Sequence, residues 1–179
     1  MVNMNFISAE IFISFSIMFL LILGVFKKNS SGLIYNLSIG LLLITSILIL
    51  NNPYESSVTL FANSYVIDDL SSLMKVMTIF GGTFVLLISR KYLKLSKIFL
   101  IEYPILILCS ILGMMVMISS NDLIVFYIGL ELQSLALYVL ASFNRDKLKS
   151  SESGLKYFVL SALSSGLLLY GCSLIYGFS

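Results

Sequence analysis

Long apolar runs alternate with short polar breaks along the whole sequence. Runs of close to 20 residues match a hydrocarbon core of about 30 Å at the rise of an α-helix. Six spanning helices are predicted, at 7–26, 33–50, 70–89, 99–119, 122–143 and 153–176. The fourth and fifth are divided only by Ser119-Ser120-Asn121-Asp122, without which the run from 99 to 143 is too long for one crossing. Ser, Asn and Asp favour helix starts, so a tight helix–helix turn is expected there. Ser151 followed by Glu152 marks the expected start of the sixth helix, since both suit a helix N-terminus. Val58-Thr59-Leu60-Phe61 and Ser64-Tyr65-Val66-Ile67 flank Ala62-Asn63, the pattern of a short surface hairpin. The prediction is an all-α polytopic membrane protein, a single transmembrane domain over residues 1–179.

Composition agrees: 59% of residues are hydrophobic and 11% charged, where a soluble domain carries roughly a quarter as charges. The first run has no basic n-region and no small-residue cleavage site, which makes it a retained helix and not a signal peptide. Cys109 and Cys172 lie inside apolar runs without metal-ligand spacing, as buried thiols acting as small hydrophobes do. The sequence has no His, no Cys cluster and no Gly-rich phosphate loop, so nothing in it suggests a haem, iron–sulfur, metal or nucleotide site.

Charge placement orients the helices. All but two of the 11 Lys and Arg residues fall in three alternate loops: Lys27 and Lys28; Arg90, Lys91, Lys94 and Lys97; Arg145, Lys147 and Lys149. The positive-inside rule puts those loops on the inner side and both termini outside. Of the remaining charges, Glu10 and Glu102 lie near helix starts, where a carboxylate reaches water or the helix dipole. Lys75 and Lys156 sit about one turn into their helices, from where their stems can snorkel to an interface.

Glu131 stands apart by depth. It lies nine residues beyond Asp122, about 13 Å along the helix, and therefore near the bilayer midplane. An ionised group there costs about 2.5–3.5 kcal/mol on insertion scales. Protonation, a paired cation or a wet cavity removes that cost, and each is a step open to a proton relay. Tyr127, Ser134 and Tyr138 share its face at i−4, i+3 and i+7, forming a polar stripe headed by Glu131. The plainer alternative is a Glu that only hydrogen-bonds between helices. Ser161 with Ser165, and Ala162 with Gly166, are small pairs that permit close contact by the sixth helix.

The block MMVMISSNDLIVFYIGLELQSLALYVLASFNRD, followed by SGLKYFVLSALSSGLLLYG, resembles one family of membrane subunits. It is the second membrane subunit of proton-pumping NADH:ubiquinone oxidoreductase, respiratory complex I, whose bacterial form is the antiporter-like subunit N. The resemblance is dense from Glu102 to Gly177 and looser before it, with DDLSSLMKV the clearest earlier piece. It implies that this chain is the first part of an antiporter-like inverted-repeat fold. It also implies that Glu131 matches a family Glu that faces a Lys on a broken seventh helix, and that Lys156 matches a family Lys on the sixth. Both belong to the proton-translocating machinery. Flavin, iron–sulfur clusters and quinone are then handled by other subunits, leaving this chain without a cofactor. The sequence stops at Ser179, before a seventh helix. It is either a fragment or one part of a split subunit, and the expectation is a separate chain that supplies the carboxy-terminal part and docks beside helices five and six.

The resemblance thus implies a proton-translocating membrane-arm subunit of an NADH:ubiquinone reductase, partnered by other membrane-arm subunits and lipid, with no nucleic acid. The alternatives are a subunit of a related cation/proton antiporter or membrane-bound hydrogenase, or a structural scaffold bundle. Abundant Ile, Asn, Ser, Lys, Phe and Tyr fit an AT-rich coding genome, and with the length this favours the mitochondrial inner membrane over a bacterial plasma membrane. The orientation is open to test with single cysteines in a background lacking Cys109 and Cys172. Positions in 27–32, 90–98 and 144–151 should label from the inner side alone, and labelling of position 147 from outside overturns the topology.

Overall fold

The structure is a computed structural model describing residues 7–26, 31–51, 58–96 and 98–178. Lys27, Lys28, Glu55 and Lys97 lie outside the described residues. The elements are α1 (Ser8–Phe26), α2 (Ser31–Leu50), β1 (Val58–Leu60), β2 (Tyr65–Ile67), α3 (Asp69–Leu95), α4 (Glu102–Ile118), α5 (Leu123–Ala141) and α6 (Leu148–Phe178).

Local chemistry sets the helix ends. Asp68 opens α3 with a capping box, its carboxylate accepting from the Ser71 amide while the Ser71 hydroxyl accepts from the Asp68 amide. Asp122 caps α5 by accepting from the Ile124 amide at 2.8 Å. Two ends differ from expectation by five residues or more. α3 continues to Leu95 because Arg90-Lys91-Tyr92-Leu93-Lys94 contains no helix breaker, so its basic residues ride on the last turns of a helix. α6 begins at Leu148, where the Lys147 carbonyl accepts from the amides of Ser150 and Ser151. Ser151 and Glu152 are therefore interior to α6, where Glu152 pairs with Lys156 one turn on.

Five of the helices are long and apolar enough to cross a membrane. The 17-residue α4 is shorter, about 25 Å, still near the lower limit for a crossing. It is also central, packing against α1, α2, α3 and α5, while α6 packs on α5. Ile13 and Leu20, Ile34 and Leu42, Ile79 and Leu86, and Leu108, Ile111 and Met115 make the continuous core between α1, α2, α3 and α4. Six buried serine and threonine hydroxyls do not join one helix to another: Ser16, Ser38, Thr45, Ser46, Thr83 and Ser110 each donate to a carbonyl three or four residues earlier. That satisfies each polar group inside its own helix, as lipid requires.

The two ends of the bundle are built differently. At one end the Tyr35 hydroxyl of α2 donates to the Leu86 carbonyl of α3, bonds Ser89 at 2.8 Å, and its ring stacks on Phe99 at 5.4 Å. At the other end β1 and β2 pair antiparallel, Val58 opposite Ile67 and Leu60 opposite Tyr65. Their turn carries three left-handed residues, Phe61, Ala62 and Asn63, with φ of 53°, 54° and 73°. Left-handed backbone is unusual for residues with a Cβ and persists where its surroundings fix it. Here the amide of Asn121 donates to the Ser64 carbonyl at 2.9 Å, and the Asn121 side chain donates to the Asn63 carbonyl at 2.8 Å. The expected surface hairpin is thus partly interior: Leu60, Tyr65 and Ile67 are buried.

The closest helix crossing lies between α4 and α5. A Cβ on Gly113 would sit 2.6 Å from the Gln133 amide nitrogen and 2.8 Å from the Gly129 carbonyl oxygen. One on Gly129 would sit 2.8 Å from the Met117 amide nitrogen. The obstacles are backbone atoms, so a methyl group forces the helices apart. Gly129→Ala should destabilise the detergent-solubilised protein by about 1–3 kcal/mol. Gly166→Ala, with open space around it, should stay within about 0.5 kcal/mol. Thermal unfolding checks the pair, and equal midpoints would rule out the close crossing.

Candidate functional site

Glu131 sits two residues beyond Gly129 on α5, beside the crossing with α4. Its side chain is half-buried, and Oε1 is buried with no hydrogen-bond partner among the described residues. Oε2 lies 3.5 Å from the Ser134 hydroxyl, at the outer limit of a hydrogen bond, while that hydroxyl also approaches the Glu131 carbonyl at 3.1 Å. Ser134 is thus the member of the expected stripe that the structure brings to the carboxylate. Tyr127 is half-buried, one turn nearer the hairpin end. Tyr138 is buried against α6, edge-on to Tyr157 at 5.0 Å and Phe158 at 5.7 Å. At i+7 it lies about 10 Å along the helix from Glu131, and its ring serves the α5–α6 contact.

Lys156 is elsewhere. Its Nζ pairs with Glu152 Oε1 at 2.6 Å, and both side chains are more than half exposed. This local pair on α6 takes the cation that the family resemblance implies for the same machinery as Glu131. Because α6 starts at Leu148, Lys156 also lies two turns into its helix, not one.

The structure assembles a second set of charges that sequence reasoning treated as separate. Lys75 Nζ of α3 lies 2.6 Å from Glu10 Oε1 of α1, and these side chains are only 4% and 8% exposed. The Tyr65 hydroxyl donates to the same Glu10 oxygen at 2.8 Å, and Lys75 donates to Tyr65 at 3.3 Å. The ammonium also lies 5.2 Å from the Tyr65 ring centre. Snorkelling by Lys75 and water contact by Glu10 are therefore corrected to a buried ion pair. The signal was available: opposite charges lie near the starts of the first and third helices, which alternate crossings bring to the same end of the bundle, in a chain with few charges.

The other flagged groups are peripheral. Glu102 is exposed in the first turn of α4. It and Arg145 border an apolar groove of about 630 Å³ lined by Leu21, Leu106, Tyr138, Phe143 and Leu155. Cys109 is half-buried and Cys172 buried, both as free thiols. Tyr176 of α6 donates to Asp122, and this bond holds the Asp122 carboxyl below the usual carboxylate range. Among the described residues no group of three His, Cys, Asp or Glu side chains is arranged to hold a metal ion.

Comparison with known proteins places these features in a family. The family described as NADH:quinone oxidoreductase/Mrp antiporter, TM matches residues 120–179. NADH-quinone oxidoreductase subunit N of Pelagibacter ubique is 77% identical over 99% of this chain, which covers 38% of that protein. The subunit N of Bartonella bacilliformis is 50% identical over 95% of the chain and is covered to 35%. The chain thus spans little more than a third of the length of these relatives. Its fold matches a chain in the structure of respiratory complex I from Thermus thermophilus with bound Aureothin, with a TM-score of 0.79, 23% identity, and coverage of 96% of this chain and 37% of that one. The chain belongs to the subunit N family of NADH-quinone oxidoreductases, matching its amino-terminal part.

Proposed function

We propose that the chain acts as the amino-terminal part of a proton-translocating, antiporter-like subunit in the membrane arm of an NADH-quinone oxidoreductase, and that Glu131 is a proton-exchanging group there. The observation that carries the family side of this reading is 77% identity to a subunit N across nearly the whole chain. Glu131 is supported by its chemistry. A carboxyl group near the midplane, with one oxygen buried and without a partner among the described residues, is costly as a bare anion. A proton or an approaching cation relieves that cost, so the energy of the site depends on where the proton is. Ser134 offers a hydroxyl that can pass or accept a hydrogen bond at Oε2. In this reading the cation comes from the portion of subunit N that the relatives carry beyond this chain's length, since Lys156 is engaged by Glu152. Tyr127 and Tyr138 support the helix face, and the redox cofactors belong to other subunits.

The relatives compared are bacterial, which favours a multi-pass protein of a bacterial plasma membrane over the mitochondrial inner membrane. A residue composition that reflects AT-rich coding fits either compartment.

Glu131→Gln keeps shape and hydrogen bonding but cannot ionise. In the full-length subunit, within the assembled enzyme in inverted membrane vesicles, it should lower NADH-driven proton translocation about tenfold or more. Assembly should be preserved. Lys156→Ala should have a milder effect, because its ion pair is exposed. Unchanged translocation in the Gln variant would reduce Glu131 to a structural residue of a scaffold bundle.

A further inference from the structure

The Glu10–Lys75–Tyr65 cluster lies outside the site built around Glu131, yet its bonds lead to the same helix. Burying an ion pair in an apolar bundle costs several kcal/mol per ion in desolvation, offset only by close geometry and further hydrogen bonds. As a source of stability it is a poor choice, since apolar residues of similar size often do as well. Its value lies in specificity: opposite charges fit one register and one rotation of α1 against α3, whereas apolar faces slide.

Tyr65 extends that choice to the hairpin. Its hydroxyl ends on Glu10, while its strand is bonded to the turn between α4 and α5. The Val66 amide donates to the Ser119 carbonyl at 2.8 Å, and the Asn121 amide donates to the Ser64 carbonyl at 2.9 Å. Leu60, Tyr65 and Ile67 form a small core of their own with Ile7 and with Val125 in the first turn of α5. The start of α5 is therefore seated on the hairpin, and the hairpin on the ion pair. With the Gly113–Gly129 crossing, this fixes α5 at a second point, so that the depth and rotation of Glu131 are both set.

We propose that Glu10, Lys75 and Tyr65 are positioning residues for Glu131: the buried pair latches the 58–67 hairpin, and the hairpin holds the N-terminus of α5. The role toward proton translocation rests on the function proposed above; the latch itself does not.

The test uses the full-length subunit in its assembled enzyme, with Cys109 and Cys172 replaced by alanine and a cysteine pair introduced by Asn63→Cys and Asn121→Cys. The rate of bridging by a short bis-thiosulfonate reports hairpin seating. Lys75→Met should slow bridging about tenfold and lower protons translocated per NADH oxidised. The charge swap Glu10→Lys with Lys75→Glu should recover both. Where Lys75→Met prevents assembly, Tyr65→Phe leaves the ion pair in place and should slow bridging about fivefold, the loss of one net hydrogen bond. Unchanged bridging in Lys75→Met, or in Tyr65→Phe where that variant is used, overturns the latch. Slowed bridging with unchanged translocation, or failure of the swap to recover either readout, overturns the positioning role. Bridging that responds as expected while Glu131→Gln pumps normally would sink the role of Glu131 and leave the latch standing.

Discussion

The contact between Gly113 and Gly129 is the constraint on which the arrangement of the second half depends. Two helices whose backbones touch cannot accept a side chain between them, and neither can rotate without driving a Cβ from a neighbouring position into the gap. Dispersion between closely packed backbones, not hydrophobic burial, holds helices together in lipid. The crossing therefore sets both adhesion and rotation for α4 and α5. Because α4 also packs on α1, α2 and α3, the contact joins α5, and α6 through it, to the rest of the bundle. Glu131 stands two residues from it and inherits its rigidity.

Charge is used in two opposite ways. At the hairpin end Glu10 has a cation and a hydroxyl on one oxygen, so its charge is compensated and its geometry fixed. Each carboxylate keeps one buried oxygen without a partner among the described residues, but the other oxygen of Glu131 has only a weak serine contact and no cation. The first arrangement resists change, because removing either partner leaves an unpaired buried charge. In the role proposed for Glu131 the second is open to change, because a proton or cation has something to satisfy. The buried serine and threonine hydroxyls of the core bond within their own helices, which leaves inter-helix polar specificity to a few residues such as Tyr35 and Tyr176.

The helices were legible because a bilayer demands long apolar runs and the polar breaks between them are short. The cap was legible at Asp122, and the mid-helix position of Glu131 on α5 followed from counting along one helix. The ends of α3 and α6 were not, because basic and serine-containing segments form helix as readily as loop once a preceding helix or turn has started them. The Glu10–Lys75 pair was hidden by reading each charge against its own helix end, when the controlling fact was a partner in another helix. Gly113 and Gly129 were hidden as well: the small residues that stand out in the sequence are those of α6, yet a Cβ on Gly166 would meet nothing within 4 Å. Single glycines in two helices become a motif only once the helices are known to cross.

These features bear jointly on how a proton at Glu131 could have consequences. A carboxyl on a loosely held helix would answer a change of charge by letting the helix tilt or turn. α5 is held at its start by the hairpin and at Gly129 by α4, so its backbone has little freedom near residue 131. The response must then fall on the side chain itself and on whatever group supplies or withdraws the compensating charge. Side-chain rotation of Glu131 between Ser134 and a partner on another element requires no movement of α4 or α5. In the proposed role of Glu131, a rigid crossing beside the carboxyl would direct the energy of protonation outward, to whatever neighbour supplies the compensating charge.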